Sequence, residues 1–305
     1  MRIHEQLNNP LRLGVVGTGR IGSFHARHAL ELARETRSCE LVAVADTYGN
    51  SAEQTANHLS EQSKPVLGFT TVEDLIQANV VDAAVVASAT KDHYHDCRAL
   101  VDAGYRIMLE KPLAHSVEAA SDLCSYLSSD AKKKFAVMQA FMRRFDKPLV
   151  RAKRLLKQGR IGMPFKIISI LEDPEPLPQG YNSAGILSDM AVHNIDEVTW
   201  LLEDRPISVS ATCTNLFSHK LSPVEEDFDD AFLQMWFPKG TIGQVQSSRN
   251  HVAGYRNETW IFGEEGFIHV GAFQECPTKV SLEAFGRERV LERTRFVMRN
   301  YGEQV

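Results

Sequence analysis

The stretch "LRLGVVGTGRIG", residues 11–22, constrains this chain more than any other. A short apolar strand runs into Gly17, Gly19 and Gly22, spaced as GxGxxG, and a helical pattern follows from Ile21 to about Ala33. In that setting the first glycine permits a tight turn and the second lets the backbone approach a pyrophosphate. The third allows the helix to pack closely on the strand. The helix N-terminus then faces the phosphate charge. Gly17, Gly19, Arg20, Ile21 and Gly22 are therefore expected to hold a dinucleotide.

The alternation continues. "CELVAVAD" reads as a second strand and Ser51–Leu59 as a second helix. "VDAAVVAS" and "RIMLEKP" are further buried strands with the helical "HYHDCRALVDAG" between them, and "FAVMQAF" is one more. Continuous apolar strands separated by helices predict an α/β Rossmann domain, a doubly wound parallel sheet covered on both faces, over residues 1–140. Asp46 ends the second strand, where a carboxylate accepts hydrogen bonds from ribose hydroxyls and repels a 2′-phosphate. Thr47, Tyr48 and Gly49 supply no cation for such a phosphate, so NAD is expected over NADP.

From Phe141 the rhythm changes. A basic helix (Pro148–Gln158) and the strand "PFKIISILE" lead through the Pro-rich "EDPEPLPQGY" to a further helix. Then strand patterns follow one another: "ISVSATCTN", "DAFLQMWF", "TIGQVQSS", "RNETWIFG", "GFIHVG" and "KVSLEAFG". Short links such as "PKG" and "GEEG" predict a large, mostly antiparallel open sheet, an α+β domain over residues 141–305. Helices suffice for one face only, and residues such as Phe232, Met235, Trp260 and Phe262 lie on one side or the other. An open apolar sheet face predicts a homodimer or homotetramer.

Composition excludes several classes. The 305 residues carry a net charge of -5, which argues against nucleic acid as a partner. Cys39, Cys97, Cys124, Cys213 and Cys276 form no CxxC pair, so a reducing cytoplasm is expected. "MRIHEQLNNP" has no apolar h-region, and no apolar run reaches membrane-spanning length, so no membrane partner is expected. Lys132, Lys133 and Lys134 read as a solvated turn, and the acidic stretch 225–230 as a solvated loop. His93 and His95 would point to different sides of a helix, so no metal is expected.

"LSDMAVHNIDEV", residues 187–198, reads as a helix with Asp189, His193, Asp196, Glu197 and Trp200 on one side. Leu187, Ala191, Ile195, Val198 and Leu202 form an apolar stripe opposite. Taken alone, an Asp–His pair at this spacing is usually a solvated surface pair.

Together "GVVGTGRIG", "ASATKDHYHDC", "LEKPLA", "FMRRFDKP" and "SDMAVHNID" resemble the glucose–fructose oxidoreductase/inositol dehydrogenase/MocA (Gfo/Idh/MocA) family of NAD(P)-dependent dehydrogenases. The likeness runs from about Leu11 to the end. "FMRRFDKPLVRAKRLLKQGRIGMPFKI" and "EDPEPLP" look most like its inositol 2-dehydrogenase branch. The resemblance implies that Lys111 sits near the nicotinamide and the reacting hydroxyl. It makes His193 the general acid/base, with Asp189 one turn earlier setting its orientation and charge. Asp173 and Tyr255 match polar positions lining a polyol pocket, and Arg143 (or Arg144) matches a position near the substrate. His93 matches the edge of the cofactor pocket, and Ser88 and Glu110 fall in the same cofactor-facing motifs.

The residue types suit the chemistry. Oxidising a secondary alcohol sends a hydride to nicotinamide while the hydroxyl proton leaves. A histidine, with an ordinary pKa of about 6.5, accepts that proton near neutrality. A lysine cation stabilises the developing alkoxide. Two departures stand out: the inositol branch often has two glycines where this chain has Ser183-Ala184-Gly185, and usually His-Asp where it has His193-Asn194. The chain ends at "RNYGEQV", where relatives usually continue with closing helices. The expected function is NAD-dependent oxidation of a ring hydroxyl of an inositol or similar cyclic polyol. The alternatives are an aldose or sugar-derivative dehydrogenase or reductase, and a nucleotide-responsive regulator without turnover.

Overall fold

The structure is a computed structural model that describes residues 9–60, 64–174, 185–216, 227–251, 254–273, 278–284 and 287–294, with side chains to residue 271. The chain divides into two units, Met1–Ala140 and Phe141–Val305.

In the first unit β1 (Leu11–Val16), β2 (Cys39–Ala45), β3 (Leu67–Phe69), β4 (Ala83–Val86), β5 (Arg106–Leu109) and β6 (Val137–Gln139) form one sheet in the order β3-β2-β1-β4-β5-β6. Every pairing is parallel. Neighbouring strand residues point to opposite faces, and both faces are dry. Val15 and Val85 pack with Ala26, Leu30 and Ala56 of α1 (Arg20–Thr36) and α2 (Ser51–Ser60). Val16 and Val86 pack with Leu75, Leu100 and Leu123 of α3 (Val72–Ala78), α4 (His93–Asp102) and α5 (Val117–Ser128). This is the doubly wound Rossmann arrangement. The strand order reverses between β1 and β4, so the loops after β1 and β4 part there and open a crevice.

Three elements go beyond the sequence reading. That reading passes over β3, α3 and α5, although Thr71 and Ser116 cap the two helices by accepting the Asp74 and Ala119 amides at 3.0 and 3.2 Å. The three lysines form a single helical turn (α6, Ala131–Lys134) capped by Asp130, with none of its residues buried, in keeping with the solvated turn expected. Lys133 Nζ lies 3.9 Å from the Tyr126 ring centroid.

The second unit holds one eight-stranded sheet. Its strands are β7 (Pro164–Glu172), β8 (Ser208–Thr214), β9 (Asp230–Trp236), β10 (Ile242–Ser248), β11 (Arg256–Gly263), β12 (Gly266–Phe273), β13 (Thr278–Ala284) and β14 (Arg287–Thr294). They lie in the order β14-β13-β12-β11-β7-β10-β9-β8. Only β7 and β10 pair in parallel. Ile167, Leu233, Met235, Val245, Ile261 and Ile268 point to one face, where α7 (Lys147–Lys157) and α8 (Val192–Leu202) cover them with Leu149, Leu155, Val198 and Leu201. Met235 thus belongs to the covered face.

The helix carrying His193 departs from the expected wheel. It opens with a π-helical turn, Leu187–Ala191, before α8 begins, so residues beyond the turn rotate relative to a 3.6-residue repeat. Asp196 and Glu197, expected beside His193 on a polar face, are buried at 8% and 0% exposure. Glu197 is the centre of an interior network. Arg143, from the 3₁₀ turn Met142–Phe145, donates from Nε to Glu197 Oε2 at 2.7 Å and from Nη1 to Asp146 at 2.9 Å. Ser169 donates to Glu197 Oε1 at 3.1 Å, and Thr259 donates to the same oxygen. The network locks α8 to β7 and β11.

The opposite face carries Phe232, Trp236, Ile242, Ile168, Trp260, Phe262 and Phe267. Trp260 stacks on His269 with ring centroids 3.7 Å apart and donates to Glu258 Oε2 at 3.0 Å. His269, 3.5 Å from that oxygen, does most to hold the Glu258 carboxyl down, at about 2; burial opposes it, and Trp260 and Arg256 add to the lowering.

Two outcomes follow. Arg143→Ala strands the Glu197 carboxylate in the interior and is expected to cost roughly 3–5 kcal/mol in urea unfolding, whereas Arg143→Met with Glu197→Leu recovers most of it. The Glu258 carboxyl lies below its ordinary 4.5, so its contribution is complete above that pH and fades as pH falls towards about 2. Glu258→Gln is expected to flatten the urea midpoint between pH 5 and 2.5, approximate limits set by that shift.

Candidate active-site elements

The loop after β1 is built by steric necessity. Gly17 has φ +88°, and a Cβ there would meet the Ala87 and Ser88 backbone at 2.5 Å. A Cβ on Gly22 would fall 1.8 Å from the Gly17 carbonyl oxygen, because α1 begins hard against the turn. The space beside Gly19 is open. Gly19 is the N-cap of α1, no side chain caps that turn, and the first turn carries no acidic residue. Amide donors with no competing carboxylate and a clear approach fit the pyrophosphate of a dinucleotide.

Asp46 closes this loop from β2. Its Oδ2 accepts the Thr18 amide at 2.6 Å and the Thr18 hydroxyl at 2.7 Å, and its Oδ1 accepts the Tyr48 amide at 2.8 Å. Oδ1, which accepts a single bond, retains acceptor capacity for a ribose hydroxyl. Asp46, expected at the ribose, therefore also positions the glycine loop.

The loop after β5 is held as firmly. The Glu110 amide donates to Val86 O at 2.8 Å, and its side-chain Oε2 accepts the Lys111 amide at 3.1 Å. Glu110 Oε1 lies 2.8 Å from His25 Nε2 on α1. Beyond the cis Lys111–Pro112 bond, Pro112 O lies 2.8 Å from His93 Nδ1, whose Nε2 is 3.1 Å from Ser88 O. His93 is 1% exposed, and the Ser88 hydroxyl donates to Asp96 at 2.6 Å. Burial pushes the Asp96 carboxyl up, with the Ser88 bond pulling the other way. Ser88 and His93, expected at the cofactor, are thus also the ties between the β4 and β5 loops.

In the second unit the register gathers the remaining residues. Glu172 pairs with Ser248 and with Arg256, so Asp173, Arg249 and Tyr255 emerge at one end of the sheet. The Asp173 amide donates to Ser248 O at 2.8 Å, and the His251 amide to Asp173 O at 2.9 Å. The Tyr255 hydroxyl accepts from Asn257 at 3.2 Å. His251 Nε2 is 3.3 Å from Glu172.

Asp189 and His193 stand on consecutive turns of the π/α helix, and Asp189 Oδ2 lies 3.6 Å from Arg249 Nη2. Arg249 also pairs with Asp227, whose Oδ1 accepts the Ile186 and Phe228 amides at 2.8 Å each. Asp227 and Asp229, both 2% exposed, correct the reading of a solvated acidic loop: Asp227 starts the His193 helix. Residues 175–184, including Ser183 and Ala184, lie outside the described residues.

Arg143, expected near substrate, is 4% exposed and directs its guanidinium at Glu197 and Asp146. Arg144 pairs with Asp196 at 2.5 Å. Arg249, Asp227 and His25 escaped the sequence reading, since nothing in "SSRNH", "EEDFDD" or "SFHAR" marks one polar residue above its neighbours. Among the described residues no helix is long and apolar enough to cross a membrane.

Comparison with known proteins agrees with this architecture. Residues 11–138 match the oxidoreductase family with an NAD-binding Rossmann fold, and residues 149–269 match the Gfo/Idh/MocA C-terminal domain. Inositol 2-dehydrogenase 3 of Saccharopolyspora erythraea is 30% identical over 279 residues, 92% of this chain and 77% of that protein. Inositol 2-dehydrogenase of Agrobacterium fabrum is 31% identical over 256 residues, 84% of this chain and 72% of that protein. The crystal structure of a myo-inositol dehydrogenase from Corynebacterium glutamicum superposes with a TM-score of 0.77 at 26% identity, covering 96% of this chain and 84% of that one. With both halves matched and relatives of this similarity, the chain belongs to the Gfo/Idh/MocA family of NAD-binding oxidoreductases.

Proposed function

We propose that this protein oxidises a secondary ring hydroxyl of a cyclic polyol, an inositol in the first instance, with NAD as acceptor. The observation that supports this most is the similarity of the chain to inositol 2-dehydrogenases, with Lys111 held through its amide in one unit and Asp189 held by Arg249 one turn before His193 in the other.

NAD, when bound, supplies the acceptor for the hydride leaving the carbinol carbon. The hydroxyl proton passes to the His193 imidazole as the C–O bond becomes a carbonyl. The Lys111 ammonium stabilises the negative charge growing on that oxygen. Asp189, itself beside Arg249, aligns the His193 ring. Asp173 and Tyr255 hydrogen-bond the other hydroxyls of the ring, which sets the choice among polyols. Arg143 acts in this reading by holding α8 through Glu197. The outer face of the eight-stranded sheet, where Phe232 and Ile242 are exposed, is assigned to a second copy of the chain.

NADH formation is measured with inositol isomers, common aldoses and uronic acids. Turnover of an inositol is expected, with Lys111→Ala and His193→Ala each lowering kcat by roughly 10²–10⁴-fold. Oxidation by the wild type rises with pH as the general base loses its proton, and His193→Ala lacks that limb. Turnover of aldoses alone would move the substrate, and NAD binding without any turnover would favour a regulator. Sedimentation at micromolar concentration is expected to give a dimer or tetramer; a monomer refutes the assignment of the sheet face.

A further inference from the structure

His25 lies on the second turn of α1, the helix whose start is the glycine loop, and it faces away from the phosphate-binding turn towards the β5 loop. Its Nε2–H donates to Glu110 Oε1 at 2.8 Å, since a carboxylate can only accept. The other oxygen, Oε2, accepts the Lys111 backbone amide at 3.1 Å. The contact is sheltered, the side chains being 22% and 16% exposed. Burial alone would raise the Glu110 carboxyl; the His25 bond, then the Lys111 amide and charge, overcome it and hold the carboxyl below its ordinary range. Glu110 is therefore a carboxylate at neutral pH, with one oxygen for each partner.

Lys111 is the residue to which precision matters. Its side chain is long and rotamer-rich, so the placement of its ammonium depends first on a fixed backbone. On the far side that backbone is tied by His93 to Pro112 O. On the near side the Glu110 carboxylate ties it, and His25 sets which way that carboxylate turns.

We infer that His25 is a positioning residue for Lys111, linking the glycine-loop helix to the reactive lysine through the Glu110 carboxylate. The inference rests on the role given to Lys111 above. It explains why a helix whose first turn faces the cofactor carries a histidine one turn further on. It also assigns a specific ring nitrogen: only Nε2 makes the bond.

That atom assignment makes the test sharp. Glutamine places an amide N–H near the position of Nε2, whereas asparagine reaches only the position of Nδ1. His25→Gln, His25→Asn and His25→Ala are compared in the full-length chain, with NADH binding followed by fluorescence and exchange of the Lys111 amide by mass spectrometry. His25→Asn and His25→Ala are expected to lower kcat by roughly 10–100-fold while KM for NAD changes less than about threefold, and His25→Gln stays near wild type. The Lys111 amide is expected to exchange at least about tenfold faster in the Asn and Ala variants but not in Gln, at equal melting temperature.

Asn and Ala variants that keep both kcat and amide protection overturn the inference. So does a Gln variant as impaired as Ala, which would mean a role in bulk or fold alone. Should Ala fail to fold, the Asn–Gln contrast carries the test. If the wild type turns over no polyol, the functional reading falls while amide exchange still decides the His25–Glu110–Lys111 link.

Discussion

The Asp227 carboxylate accepts two backbone amides, from Ile186 and Phe228, and meets the guanidinium of Arg249, which in turn faces Asp189. Remove that carboxylate and the π turn beginning the His193 helix loses its first donor's partner. The same device recurs in the other unit. Asp46 holds the Thr18 amide and hydroxyl, and Glu110 holds the Lys111 amide. Strand ends leave amide groups that no neighbouring strand satisfies, and a sheltered carboxylate satisfies one or two of them through charge-assisted bonds. The desolvation cost is offset only when all those bonds form together, so each loop has one stable arrangement rather than several. Irregular backbone becomes rigid enough to carry chemistry.

Glycines complete what the carboxylates begin. With the Gly22 Cβ position only 1.8 Å from Gly17 O, any side chain there would push α1 off the turn. The close approach lets the first-turn amides face one way while His25, one turn later, reaches Glu110. A helix displaced by even an ångström would break the 2.8 Å bond, so cofactor binding and lysine placement depend on the same steric fit.

How much of this was legible in the sequence follows from the range of the interactions. The glycine loop, the alternation of buried strands and helices, and the change of rhythm at Phe141 are local signals, and they gave the fold class. The missed α3 and α5 are short or mostly exposed, with caps supplied by Thr71 and Ser116 that resemble any loop threonine or serine. The helical wheel failed for Glu197 because burial of a glutamate needs partners, Arg143, Ser169 and Thr259, that lie 28 to 62 residues away. Asp227 misled for the same reason: its partner Arg249 is 22 residues distant. Candidate residues such as Lys111 and His193 came from motif resemblance; the ties that hold them came only from tertiary structure.

The His193-Asn194 pair, a departure from the usual His-Asp, finds its reason in hydrogen-bond direction. Asn194 is 2% exposed and donates from Nδ2 to the Ser169 hydroxyl at 2.7 Å; that hydroxyl spends its single proton on Glu197 Oε1. The chain of donation runs one way, from Asn194 through Ser169 to Glu197. An aspartate at 194 could only accept, so Ser169 would have one proton for two carboxylates, and a second negative charge would stand close to Glu197 with Arg143 already engaged. Asparagine supplies through Nδ2 the donor this one-way chain needs, while its buried Oδ1 has no hydrogen-bond partner among the described residues. Its side chain turns towards the sheet, so the departure belongs to the packing of α8 on β7 and says little about which polyol is bound. In the proposed reaction substrate choice is assigned to Asp173 and Tyr255 at the sheet end, where the β7–β10–β11 register sets their backbone positions.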